Sequence, residues 1–172
     1  LLAGPADYHL GGFRSVPKKD YVVHYSRPLV TSTRCHMLAM YLVLESYLNM
    51  VCDYPEAYKG QPGFEFLKDV PTVWDETKVL EAKVAEYVIT ARRKGEDWYV
   101  GCINNSTERT IDINFNFLED GEYSLELLKD SDDTDTNPNH LEISVMDVTK
   151  DDSTTVRLAS SGGTVMKLSR KH

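Results

Sequence analysis

The sequence predicts an α/β segment followed by an all-β domain, one β/α unit running into an antiparallel β-sandwich. Three observations point there. The stretch Thr33–Cys52 is the longest apolar run of helical period, the period changes to two from Asp75 onward, and only one strand precedes the helix. A lone β/α unit cannot close a barrel or a parallel sheet, because its strand needs neighbours on both sides. Residues 1–75 therefore read as the last repeat of a larger assembly, and residues 76–172 as a domain able to stand alone.

The chain starts Leu1-Leu-Ala-Gly-Pro-Ala-Asp-Tyr8, an apolar strand ended by Gly4 and Pro5. Without a methionine or a basic leader region, it reads as the interior of a longer protein. A loop through Gly11, Gly12, Phe13, Lys18 and Lys19 leads to Pro28. The helix expected over Thr33–Cys52 can be capped by Thr31, Ser32 or Thr33 and is stopped by Asp53-Tyr54-Pro55. It would span roughly 30 Å, a membrane-crossing length. Arg34, His36, Glu45 and Asn49 instead make it a buried helix of a soluble fold. Its apolar circumference needs more cover than residues 1–75 supply.

Residues 54–75 form a connector punctuated by Pro55, Pro62, Pro71, Gly60 and Gly63, with a helical turn expected at 63–70 and enough aromatics to pack down. Beyond it, Glu86–Arg93 and Trp98–Ile103 flank a Lys94–Asp97 turn and predict a hairpin. Ile111, Ile113, Phe115 and Phe117 alternate with polar residues, as do Tyr123, Leu125 and Leu127. Leu141–Val145, Thr154–Leu158 and Thr164–Leu168 complete a series of short strands, the signature of an antiparallel sandwich.

Charge and cysteine usage exclude several function classes. The net charge of −8 is concentrated after residue 75, where 19 acidic residues face 12 basic ones, and argues against nucleic-acid partners and anionic membranes. Cys35, Cys52 and Cys102 are an odd set without CxxC spacing, so neither a disulfide framework nor a zinc site is indicated. With Cys35 and Cys52 on one helix, roughly 25 Å would separate them.

Asp7, beside Tyr8 past a strand end, either hydrogen-bonds a polar ligand or braces its own loop. Glu45, in mid-helix, calls for a cationic partner rather than a catalytic role, and Arg34 and His36 invite similar pairing. Asp75 and Glu76 point to opposite faces if extended, and no carboxylate pair spans the roughly 5–10 Å that glycosidic cleavage requires. The acidic run Asp130–Asp135 lacks the glycine and closing glutamate of a calcium loop and reads as solvated. Asn104 and Asn105 match the glycosylation pattern weakly. Trp98 and Tyr99 could offer a stacking platform, though adjacent strand residues face opposite ways.

Leu2-Ala-Gly-Pro-Ala-Asp-Tyr8, Gly12-Phe13, Thr33-Arg-Cys-His36, Leu38-Ala-Met-Tyr41, Glu45-Ser46, Cys52-Asp53, Gly60-Gln-Pro-Gly-Phe-Glu-Phe66, Val70-Pro-Thr-Val-Trp-Asp-Glu-Thr77, Glu86-Tyr87, Ala91-Arg-Arg-Lys-Gly95 and Trp98-Tyr-Val-Gly101 carry a resemblance in order along residues 1–103. Together they resemble the C-terminal part of glycoside hydrolase family 97, bacterial α-glucosidases and α-galactosidases, many of them exported to the periplasm. The resemblance implies the last β/α unit of a (β/α)8 barrel over residues 1–75 and a C-terminal antiparallel β-sandwich over 76–172. It also implies an oligosaccharide substrate, the rest of the barrel as partner, and catalytic carboxylates and calcium ligands upstream of Leu1. By this resemblance the chain itself holds no catalytic residue, binds no calcium and is inactive alone. Asp7 and Tyr8 would border the sugar site; His9-Leu10 stand where Thr-Pro is expected, and Tyr47 where proline is usual. The reading from another class is a non-catalytic carbohydrate-binding or structural β-sandwich.

Overall fold

The computed structural model describes residues 8–172. The apolar stretch at residues 1–7, Asp7 included, lies outside the described residues. Tyr8–His9 form β1, which pairs parallel with β2, Asn49–Met50. Tyr8 thus lies within a short strand.

The central helix is shorter than its apolar run. It covers Arg34–Val43 (α1), capped by Thr33, whose side-chain oxygen accepts the His36 N–H at 3.1 Å. Leu44 turns extended, at φ −78° and ψ 139°. Ser46 Oγ accepts the Leu48 N–H, and Tyr41 donates its hydroxyl to the Met50 carbonyl at 3.1 Å, fixing the chain for pairing with β1. Strand pairing therefore overrides the helical period of residues 44–52. Glu45, expected in mid-helix with a cationic partner, sits exposed in the bend, where water solvates its charge. Cys52 is off the helix, and all three cysteines are free thiols.

The connector folds as α2 (Pro55–Tyr58) and α3 (Phe64–Asp69), the latter matching the expected turn. Eight strands follow: β3 (Glu76–Lys83), β4 (Tyr87–Lys94), β5 (Asp97–Asn104), β6 (Arg109–Asn114), β7 (Tyr123–Asp130), β8 (Leu141–Val148), β9 (Ser153–Leu158) and β10 (Gly163–Arg170). Six of them form one antiparallel sheet in the order β3-β4-β5-β10-β7-β8, and β6 pairs with β9 separately. No described helix is long and apolar enough to cross a membrane.

The large sheet is covered on both faces. One face packs Trp98, Val100, Leu125 and Met166 against Ile113, Phe115, Val156 and Leu158 on and beside the β6–β9 ribbon. The other face packs Tyr99, Leu128 and Val165 against Leu38, Ala39 and Leu42 of α1, with Phe13, Tyr58 and Phe66 filling the flank. The helix finds its cover on the antiparallel sheet. At the closest approach, a Cβ on Gly101 of β5 would lie 2.7 Å from Leu42 Cβ, so only glycine lets helix and strand meet.

Candidate functional site

The meeting of α1, the sheet and the loops around them gathers most of the buried polar chemistry. Arg34, 1% exposed, begins the helix with its guanidinium 3.7 Å over the Phe13 ring centre. It donates to the Phe13 carbonyl and to Asn139 Oδ1, both at 2.7 Å, and to the Pro62 carbonyl at 3.1 Å. Asn139 continues the chain of contacts, accepting the Ser15 N–H at 2.9 Å and donating to the Ser15 carbonyl at 2.6 Å. Burial pulls the guanidinium pKa down to about 10, which leaves it cationic at neutral pH.

Asp130 terminates β7 on the other side of the helix start. Its Oδ2 accepts the backbone N–H groups of Ala159 at 3.1 Å and Gly163 at 2.9 Å, and the Thr33 hydroxyl also donates to this carboxylate. Burial raises its pKa despite these donors. The helix cap, the end of β7 and the β9–β10 turn thus share one carboxylate. His36 completes the junction through Nδ1, 2.9 Å from the Gly162 carbonyl, which implies an Nδ1–H donor; burial lowers its pKa. The pairing anticipated for Arg34 and His36 is therefore with carbonyls, an amide and a ring.

The carboxylates gathered here are engaged by structural partners. Asp53 is held by Arg14, with contacts at 2.6 and 3.1 Å, and Asp130 by backbone amides. Burial lifts the Cys35 thiol well above its ordinary value and pushes Cys102 up to about 12, so neither is a ready nucleophile. The groove of about 670 Å³ beside α1, lined by Lys18, Tyr21, His36, Met37 and Met40, brings no carboxylate pair together.

Other candidates resolve as structure. Asp75 accepts the Gly95 N–H and the Lys94 ammonium, and Glu76 meets Arg93 and Lys78, all closing the β3–β4–β5 edge. The run 130–135, expected to be solvated, is partly buried: Asp130, Ser131 and Thr134 turn inward because backbone amides and a β-turn need their oxygens. Asp133 is taken by Ser131 and His140. Among the described residues there is no group of three or more His, Cys, Asp or Glu placed to hold a metal ion. Asn104 is buried and donates to the Thr107 and Ala159 carbonyls, which removes it as a glycosylation acceptor. Trp98 packs edge-on to Phe117, and Tyr99 packs against Trp74 and Phe66 on the opposite face. Both rings are buried, so they form no stacking platform.

The strands and the cap matched the family resemblance, and comparison with known proteins decides it. The model described as "Glycosyl-hydrolase 97 C-terminal, oligomerisation" matches residues 73–169. The chain belongs to glycoside hydrolase family 97. It is similar to a retaining alpha-galactosidase of Bacteroides thetaiotaomicron, with 40% identity over 97% of this chain and 25% of that protein. It is also similar to a probable retaining alpha-galactosidase of Streptomyces bingchenggensis, 27% identical over 56% of this chain and 15% of that one. Among solved structures, a family-97 enzyme from Pseudoalteromonas sp. strain K8 in complex with acarbose superposes with a TM-score of 0.77 and 34% identity, covering 82% of this chain and 23% of that one. The chain spans about a quarter of the length of the first of these family-97 relatives.

Asp7 is outside the described residues, and Tyr8 is placed by its backbone alone, opposite Asn49 in β1. Asn139 was missed as a junction residue. It lies in a polar loop where composition shows only solubility, and only the fold brings it to Arg34.

Proposed function

We propose that this chain is the C-terminal portion of an exo-acting α-galactosidase that removes terminal α-linked sugars from oligosaccharides. The observation that carries the reading is the 40% identity to the Bacteroides retaining alpha-galactosidase, which runs over 168 residues and so through the α1 segment as well as the strands. In this reading residues 1–75 supply the last β/α unit of a (β/α)8 barrel. The acid/base and nucleophile carboxylates, roughly 5 Å apart in a retaining enzyme, stand upstream. Calcium ligands stand upstream too, and Asp7 and Tyr8 border the sugar. The β-domain holds α1 in place and serves oligomerisation, and the enzyme is bacterial and exported to the periplasm. The burial of Trp98 and Tyr99 removes the stacking platform that an independent carbohydrate-binding module would have used.

The test is the full-length protein on p-nitrophenyl α-galactoside and p-nitrophenyl α-glucoside, with and without EDTA. Turnover of the galactoside that EDTA abolishes is expected. Inactivity on both substrates would sink the reading.

A further inference from the structure

Among the described residues no strand pairs with the outer edges of the six-stranded sheet, β3 and β8, and the two are built differently. β3 carries a register shift between Val79 and Glu81 and a row of charges that includes Lys78, Glu81 and Lys83, devices that keep an edge from pairing. β8 has no lysine, no proline and no bulge; its register with β7 runs unbroken from Leu141 to Val148. On the face it shares with α1, Ile143 and Val145 are 56% and 68% exposed, because the helix packs chiefly on β5 and β10. Met146 on the opposite face is 40% exposed. An eight-residue edge without lysine, proline or bulge, apolar at Leu141, Ile143, Val145, Met146 and Val148 and charged only at Glu142 and Asp147, is a template for another strand.

We propose that β8 is the surface through which two copies of the protein associate, antiparallel about a two-fold axis through Ser144, so that two sheets become one. This deepens the oligomerisation role proposed above and rests on it. The strand is complementary to itself in this register. Ile143 of one copy stands opposite Val145 of the second on the α1 face, Glu142 opposite Met146, and Leu141 opposite Asp147, so no like charges meet directly. The two acids are already held on their own copy, Glu142 by Lys129 at 3.0 Å and Asp147 by Lys171 at 2.5 Å. A register one residue away would place Glu142 against Asp147 of the second copy and turn the apolar faces apart.

The experiment uses the full-length enzyme in sedimentation velocity, with wild type, Val145→Lys and Ser144→Cys. The expected result is a wild-type dimer whose dissociation constant rises at least tenfold in Val145→Lys. Ser144 residues facing each other across the axis would lie about 4.5–5.5 Å apart, within disulfide reach, so oxidised Ser144→Cys should run as a covalent dimer while Val79→Cys on the β3 edge does not. The second variant keeps the test open should Val145→Lys fail to fold. A monomeric wild type overturns the proposal, as does a dimer indifferent to Val145→Lys and not cross-linked by Ser144→Cys. A monomer that melts lower in Val145→Lys would place an upstream domain of the same chain on β8, and overturns it too. Activity on p-nitrophenyl α-galactoside is read in parallel: a cross-linked dimer inert on that substrate defeats the galactosidase reading and leaves the interface standing.

Discussion

The guanidinium carbon of Arg34 lies over the ring of Phe13, 3.7 Å from its centre, while the same group donates to that residue's carbonyl oxygen at 2.7 Å. One side chain thereby joins the helix start, the 10–16 loop and, through Asn139, the loop before β8. Lysine keeps the charge but cannot form the fork or stack its plane on the ring. Arg34→Lys should cost about 2–4 kcal/mol, the loss of hydrogen bonds made by a buried charged donor. Urea denaturation of the full-length enzyme measures it; a change below about 0.5 kcal/mol would show the contact to be incidental.

Gly101 tests the docking of the helix on the sheet. An added methyl would press on Leu42 Cβ and on the Ala39 carbonyl, the latter at 3.1 Å, and neither is a flexible side-chain end. Gly101→Ala should destabilise by about 1–3 kcal/mol through overpacking, and Gly101→Val by more. Gly95, with φ +61° at an open turn, is the control: Gly95→Asn has space and a residue type that tolerates this backbone, so it should change the melting temperature little. Equal losses at both positions would mean that the α1–β5 contact is not tight.

Seven of the eight strands after residue 75 were legible because their apolar residues alternate or run continuously between glycine and acidic turns, and the cap was legible as one of Thr31, Ser32 or Thr33; β3 was not, since Glu76, Lys78, Glu81 and Lys83 give it too little apolar material to stand out. The end of α1 was not. Leu44–Val51 keep an apolar character with no glycine or proline before Pro55, and the stop is made by pairing with β1 and by the Tyr41 hydroxyl, which only the fold brings near. Nor was the layering. Trp98–Cys102 are buried on both faces because the β6–β9 ribbon covers one side and α1 the other, so the strand shows no alternation to say which neighbour lies where. Asp130 looked like part of a solvated acidic run, and its burial follows from amides that lie about thirty residues further along the chain.

Asp130 should leave a signature in the pH dependence of stability. Burial raises its folded pKa above the ordinary carboxylate value of 3.8, so the native state binds the proton more tightly than the unfolded chain. Stability from this group is full below the unfolded value and is lost as pH rises through the folded one. Asp130→Asn removes that titration. Relative to wild type, the variant should gain stability as pH is raised from the unfolded carboxylate's value through the higher folded one, and no further above it. Melting temperatures across that range decide it, and a difference independent of pH would show that Asp130 titrates alike in both states.

His36 titrates in the opposite sense. Burial lowers its pKa below 6.5, so the unfolded chain takes up the proton first and stability falls as pH drops below the unfolded value. The Nδ1–H to Gly162 carbonyl contact also requires the helix start to stay against the β9–β10 turn. His36→Gln can reach the same carbonyl without ionising and should flatten the stability profile below about pH 6.5. A profile that keeps its slope there would assign the acid lability to another group.

The sugar-site assignment of Asp7 is testable only in the full-length enzyme. If its carboxylate accepts from a sugar hydroxyl, Asp7→Asn loses a charged hydrogen bond worth about 1.5–3 kcal/mol and lowers kcat/KM roughly 10- to 100-fold, with the melting temperature unchanged. A variant of full activity that melts lower would make Asp7 a brace for its own loop.

Residues 1–172 produced alone should bind a hydrophobic dye, and the surface responsible is not α1. That helix is sealed: Cys35, Leu38, Ala39 and Leu42 are fully buried against the sheet. Apart from the β8 edge and single valines elsewhere, the exposed apolar residues flank it, Val22, Val23 and Tyr25 before the helix and Tyr47, Leu48 and Val51 after it, with Tyr25 99% exposed. Both groups lie in the 1–75 portion assigned to the barrel, where neighbouring repeats would cover them. Replacing Val22, Val23 and Tyr25 with serine should therefore lower dye binding in the isolated chain without lowering its melting temperature, since these side chains reach no core. The same replacements in the full-length enzyme should destabilise it. Dye binding that persists after them, or a full-length enzyme indifferent to them, would show that the barrel does not cover this segment.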